Sequence, residues 1–130
     1  MSKKLTIQEL MARKQDLKQK KQRTETLLIA SLDAEIVIQQ PSNAMATEAL
    51  EMAQDDMRSD KADAYLVYNC VIEPNLKDPE LQKEYECVEP TDIVHAIFLP
   101  GEVTAISGRA LALAGYGGKG VTKVDKELKN

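Results

Sequence analysis

"TLLIASLDAEIVIQQP", Thr26 to Pro41, interrupts an otherwise helical sequence, and its reading decides the fold. Two segments rich in Ile, Leu and Val flank Asp33 and Ala34, and Pro41, which has no N–H to give to a ladder, stops the second. The pattern predicts a β-hairpin. With a two-residue loop at Asp33-Ala34, Ile29, Ile36 and Ile38 share one face, and Leu28, Ala30, Leu32 and Val37 share the other. Alanine resists the positive φ of a tight turn, so the sequence also allows a longer loop. A lone hairpin is marginal in water; one face therefore rests on helices and the other is left for something else to cover.

Upstream, "LTIQEL" is a helix-start signal. Thr6 caps, Glu9 is placed to reach back to the Thr6 amide, and Leu5 and Leu10 occupy the staple positions. A helix is expected from Ile7. Its apolar stripe of Ile7, Leu10, Met11 and Leu17 gives out before the run "KQKKQR", so the second half is solvated or waits for a partner.

Downstream of Pro41 everything reads helical. "SNAMATEALEMAQDDMRS" puts Met45, Ala49, Met52 or Ala53, and Met57 on one side; "DKADAYLVYNCVIEP" is a denser apolar segment closed by Pro74. "DPELQKEY" opens with an Asp cap and Pro79 at the first helical position, and "PTDIVHAIF" spaces Ile93, Val94, Ile97 and Phe98 for a helix that Pro100-Gly101 turns. In the last helix Val103, Ile106, Ala110 and Leu113 form one stripe, while Ala105, Gly108, Ala112 and Gly115 form a second made only of small residues. Either both stripes pack inside the domain, or the small one faces a partner whose backbone approaches closely. The fold expected is mostly α (α+β): a single compact helical domain with one β-hairpin after the N-terminal helix. Residues 1–23 form a basic helical arm, 24–116 the hairpin and helical body, and 117–130 a flexible charged tail.

Composition excludes several classes. At 130 residues there is room for one core, and no apolar run approaches the roughly 18 residues that span a bilayer. "MSKKLTIQEL" has no apolar segment of a secretory signal, so Cys70 and Cys87 are expected as free thiols in a reducing cytoplasm. The net charge of −4 hides an asymmetry: residues 1–23 hold eight Lys/Arg against Glu9 and Asp16, a balance of +6, and the rest holds nine against nineteen, a balance of −10.

No motif announces catalysis. "GYGGKG" spells G-x-G-x-x-G at Gly115, Gly117 and Gly120, but a helix precedes it where a nucleotide site needs a strand, and Lys119 is followed by Gly rather than Ser or Thr. His95 is the only histidine, and Cys70, Cys87 and His95 are spaced by 17 and 8, unlike common structural zinc sites. Neither a cofactor nor a metal is expected. The basic residues Lys14, Lys18, Lys20, Lys21 and Arg23 could track phosphates, which makes a nucleic-acid accessory protein the alternative reading. No aromatic interleaves them for base stacking, and the acidic body repels nucleic acid, so a solvated helix or contact with an acidic protein surface is favoured.

The segments "SKKLTIQELMARK", "YLVYNCVIEPNLKDPELQ" and "CVEPTDIVHAIFLPGEVTAISGRALALAGYG" resemble the XkdN-like family of phage tail assembly chaperones of tailed phages and prophages of Gram-positive hosts. Glu89-Pro90-Thr91-Asp92, Pro100-Gly101-Glu102 and Ile106-Ser107-Gly108 carry most of the likeness, and Gln39 to Lys61 the least. The resemblance implies a non-enzymatic protein of the host cytoplasm. Its partner would be the tape measure protein, a long helical chain that it keeps soluble. Major tail tube subunits would be recruited to that complex, in many such systems through a longer frameshifted form, and the chaperone is absent from the mature virion. Many copies per client imply weak self-association. A helical client wants an apolar groove rimmed by charge. The residues expected to supply it are Leu28, Ala30, Leu32 and Val37 of the hairpin and Ala105, Gly108 and Ala112 of the last helix, with Lys14, Lys18 and Lys21 in the arm.

Overall fold

The computed structural model describes residues 3–19 and 23–124. Helix α1 (Ile7–Ala12) begins behind Thr6, whose hydroxyl oxygen accepts from the Glu9 amide at 3.2 Å. The Glu9 carboxylate does not return to the Thr6 amide as the sequence predicts; it accepts from the Thr6 hydroxyl at 3.4 Å. Helix α2 (Lys14–Gln19) follows, and neither helix buries a residue. Ile7 and Met11 are each 71% exposed, so the apolar stripe of these helices is uncovered.

The hairpin forms where the sequence places it. Strands β1 (Thr24–Ile29) and β2 (Ala34–Gln39) pair antiparallel, with Leu27 opposite Ile36 and Ile29 opposite Ala34. Ile29, Ile36 and Ile38 are buried together as expected. The loop is longer than two residues: Ala30–Leu32 make a 3-10 turn, and Asp33 closes it at φ 48°, a left-handed conformation that Asp tolerates better than Ala. This corrects the outer-face assignment. Leu28 and Val37 remain on the strands, whereas Ala30 and Leu32 belong to the turn.

A third strand completes the sheet. Helix α4 (Ala62–Cys70) ends at Cys70, and β3 (Val71–Glu73) pairs antiparallel with β2, giving the order β1-β2-β3 with an irregularity at Val37/Ile38. The sequence reads Asp60 to Glu73 as one helical segment closed by Pro74. Val71 and Ile72 are β-branched and leave the helix readily, and they satisfy the second edge of β2, whose side chain Ile38 is fully buried.

Helix α3 (Asn43–Gln54), capped by Ser42, buries Ala46, Ala49 and Met52. It stops at Gln54, so Met57, assigned to the same side from the sequence, lies beyond its end and is 84% exposed. Asp78 caps α5 (Pro79–Glu84) by accepting from the Glu80 and Leu81 amides, with Pro79 in the first turn as predicted. Helices α6 (Asp92–Ile97) and α7 (Pro100–Leu113) meet at the Leu99-Pro100 corner. There the Glu102 carboxylate accepts from the Leu99 amide at 2.8 Å. The core joins Ile38, Leu66, Val67, Ile93, Val94 and Ile106, and α4 packs against α3, α6 and α7 at once.

Leu66→Ala in that hub should cost about 2–5 kcal/mol of unfolding free energy, whereas Met57→Ala should change it by no more than about 0.5 kcal/mol. Urea unfolding followed by circular dichroism measures both.

Candidate functional site

Helix α7 has two faces with different fates. Val103, Ile106 and Ala110 are buried and Leu113 is half-buried, which is the inner stripe read from the sequence. Ala105, Gly108 and Ala112 are exposed, and a Cβ built on Gly108 would meet nothing within 4 Å. The small-residue stripe is therefore not packed inside the domain.

One residue of that stripe, Ala105, lies beside the hairpin. An apolar groove of about 340 Å³ runs between β1 and α7, lined by Leu27, Leu28, Ile29, Ala30, Ala105 and Ile106, with Glu102 and Arg109 at its rim. The fold thus brings together Leu28, Ala30 and Ala105 out of the residues predicted from the sequence. Gly108 and Ala112 continue the same helical face past the groove. Leu32 is 45% exposed in the turn but does not line the groove, and Val37 is half-buried on β2, opposite Thr26. Lys14 and Lys18 are exposed on α2, and Lys21 lies outside the described residues.

One contact fixes the groove's width. Arg109 donates from Nε and Nη2 to the two carboxylate oxygens of Glu25 at 2.7 and 2.6 Å, a bidentate bridge from α7 to β1. The hydrogen bond from Arg109 holds the Glu25 carboxyl below its ordinary 4.5. At the other end of the rim, the Leu99 amide and then Ser31 in the hairpin turn hold the Glu102 carboxyl below its usual range. Sequence reasoning missed both acidic groups. The signal was present for Glu25, a charged residue in the inward alternation with Leu27 and Ile29, which requires a partner.

The outer edge of β1 is also open. The Gln40 amide donates to the Arg23 carbonyl at 2.8 Å, so alternation directs the main-chain groups of Glu25, Leu27 and Ile29 toward β2 and those of Thr24, Thr26 and Leu28 outward. Among the described residues no strand pairs with that edge. A larger cavity, about 610 Å³, opens between the start of α3 and the end of α7, and its lining includes Gln39, Gln40, Asn43, Asn69 and Tyr116. It is amide-lined and holds none of the predicted residues, so it does not suit an apolar helix face.

The described residues bring together no group of three His, Cys, Asp or Glu side chains able to hold a metal ion, and His95 is exposed. Cys70 is buried and Cys87 half-buried, both free. None of the described helices is long and apolar enough to cross a membrane.

The groove between β1 and α7 is the feature that gathers the predicted residues, and comparison with known families says what kind of protein carries it. The family model described as phage XkdN-like tail assembly chaperone protein matches residues 7–129. The chain belongs to this family of tail assembly chaperones. The match covers α1 through α7, including both walls of the groove. No curated protein and no solved structure matches the chain.

Two measurements follow from the titrating groups of this chaperone. Because the folded-state pKa of Glu25 is depressed, its bridge stabilises the fold above the unfolded carboxylate's pKa and is lost as the pH falls through the depressed value. Urea midpoints of the parent and Glu25→Gln should differ near neutral pH and converge below pH 4.5; a difference that persists in strong acid would assign the effect to something else. Burial pushes the Cys70 thiol up to about 11. A thiol reagent should therefore label Cys87 first and reach Cys70 only on unfolding, as peptide mapping would show.

Proposed function

We propose that this chaperone binds the tape measure protein of its phage in the host cytoplasm and seats an amphipathic stretch of that long helical chain in the groove between β1 and α7. By covering the client's apolar face it keeps the client soluble. Tail tube subunits then gather on the coated chain, and the chaperone leaves before the virion is complete. The observation that carries this reading is the groove itself, an apolar trough whose helical wall presents the small side chain of Ala105 among Glu102, Ile106 and Arg109. Two helices approach to about 8–10 Å between axes, the nearer limit requiring small side chains at the contact. Ala105 supplies such a contact on the helical side. Leu28 and Ala30 supply the opposing one, and Glu102 and Arg109 give the rim a charge of each sign that sets the client's register. The role is non-enzymatic, because the work is done by burial.

The test is co-expression with the tape measure protein of the same genome. The parent should hold the long chain in solution and co-elute with it on a sizing column. Leu28→Asp and Ala105→Glu, both at exposed positions, should keep the fold and lose most of the soluble client. A tape measure that aggregates equally with and without the chaperone would remove the reading. Normal rescue by both variants would move the seat elsewhere on the body.

A further inference from the structure

We propose that the cavity between the start of α3 and the end of α7 is a second binding site, which takes an extended, uncharged peptide segment of a partner protein and holds it by its main-chain amide groups. The cavity measures about 610 Å³, within the range of about 300–1,000 Å³ usual for ligand sites. It shares no lining residue with the β1–α7 groove. The groove uses the turn end of the hairpin and α7 from Glu102 to Arg109. The cavity uses the open end of the hairpin, where Gln39 stands opposite Thr24, and the residues that follow α7. The two sites can therefore be filled independently.

The lining fixes the chemical class of the ligand. Carboxamides converge on the cavity from separate elements: Gln39 ends β2, Gln40 follows it, Asn43 opens α3 and Asn69 lies on α4. None of the described residues that line it is charged, although 29% of the chain is. A cation would find no carboxylate there, and an anion no lysine or arginine. A wholly apolar ligand would strand the carboxamides away from water. What remains is a neutral group that both donates and accepts, and a peptide unit does both. Asn69 is held ready for its part. One of its N–H bonds goes to the Tyr65 carbonyl at 2.9 Å and its Oδ1 accepts from Lys77 Nζ at 3.2 Å, which leaves the second N–H for a ligand carbonyl. Gln40 supplies the opposite need. Its Oε1 is buried and has no donor among the described residues, and the last torsion of glutamine is soft, so a turn of the carboxamide lets that oxygen accept from a ligand N–H. Gly115 stands at φ 91°, and a Cβ there would meet nothing within 4 Å, so a ligand's backbone can come close along that wall.

Amide-correlation NMR on the nitrogen-labelled full chain tests it, with the uncharged capped peptide acetyl-Gly-Asn-Ser-Gly-amide as the probe. The carboxamide resonances of Gln39, Gln40 and Asn43 should shift saturably with the peptide. Sodium acetate and inorganic phosphate, which would seek a bare helix N-terminus, should leave them unmoved. Asn43→Ala and Gln40→Met, checked for folding by circular dichroism, should each weaken the peptide by at least about tenfold. Gln40→Met should at the same time raise the urea midpoint, because it removes a buried acceptor that has no donor. The groove variant Leu28→Asp with Ala105→Glu should bind the peptide as the parent does. Acetylglycine amide, a single unit of the same chemistry, should bind more weakly than the tetrapeptide. Four results would each overturn the proposal: no saturable shift with the peptide; the same shifts with phosphate or acetate; unchanged affinity in Gln40→Met and Asn43→Ala; or equal binding of acetylglycine amide, which would make this a site for a small amide and not for a chain.

Discussion

The burial of α4 on three sides is the constraint on which the rest of the structure depends. Leu66 and Val67 are fully buried and Ala62, Ala64 and Cys70 nearly so, leaving little of this helix for water. A helix in that position needs a neighbour on each apolar side, and α3, α6 and α7 supply them. It also needs an exit that does not strand main-chain groups in the interior. Val71–Glu73 provides one by passing straight from helix to strand and pairing with β2. The sheet is thereby fastened to the helical layer by covalent continuity as well as by packing. β2 becomes a central strand, and β1 is left at the outer edge, where it can form one wall of a groove.

The position of α7 follows from that arrangement. Val103, Ile106 and Ala110 turn inward against α4, and helical periodicity then forces Ala105, Gly108 and Ala112 outward. An outward face of small residues leaves room between helix and hairpin that larger side chains would fill. The Glu25–Arg109 bridge spans this gap at its rim. Because Glu25 points inward beside Leu27, it would be an uncompensated charge at the edge of the core without Arg109. The same pair guards β1, since an inward charge on a short edge strand discourages indiscriminate strand pairing.

Much of this was legible in the sequence where the signal was local. Thr6, Ser42 and Asp78 cap helices because a side-chain oxygen satisfies amides within three residues, and that geometry is written in the spacing. Ile29, Ile36 and Ile38 share a buried face even though the loop is Ala30–Asp33 and not Asp33-Ala34, because the pairing moves by an even number of residues and the parity of the strands is kept. The reading failed where tertiary structure decided. β3 has only three residues, and its sequence continues an apolar helical run; only the unpaired edge of β2 makes it a strand. Ala30 and Leu32 fit the outer alternation of the hairpin, but the left-handed turn at Asp33 takes them off the strands. Of the expected site residues, Leu28, Ala30 and Ala105 meet because β1 and α7, some eighty residues apart, pack side by side; no local pattern records that.

The partition of charge along the chain bears on how a chaperone of this kind can work. A protein that holds an apolar client must expose apolar surface before the client arrives, and exposed apolar surface invites irreversible aggregation. The body here carries −10, so its grooves repel one another at long range, while the only strongly basic segment is confined to the first 23 residues. On the reading proposed above, the apolar lining would supply affinity for an amphipathic helix and the charge pattern would limit which helix reaches it. Ala105, the small residue of the helical wall, offers little apolar area of its own, so a partner seated there would be held chiefly by the close approach of its backbone.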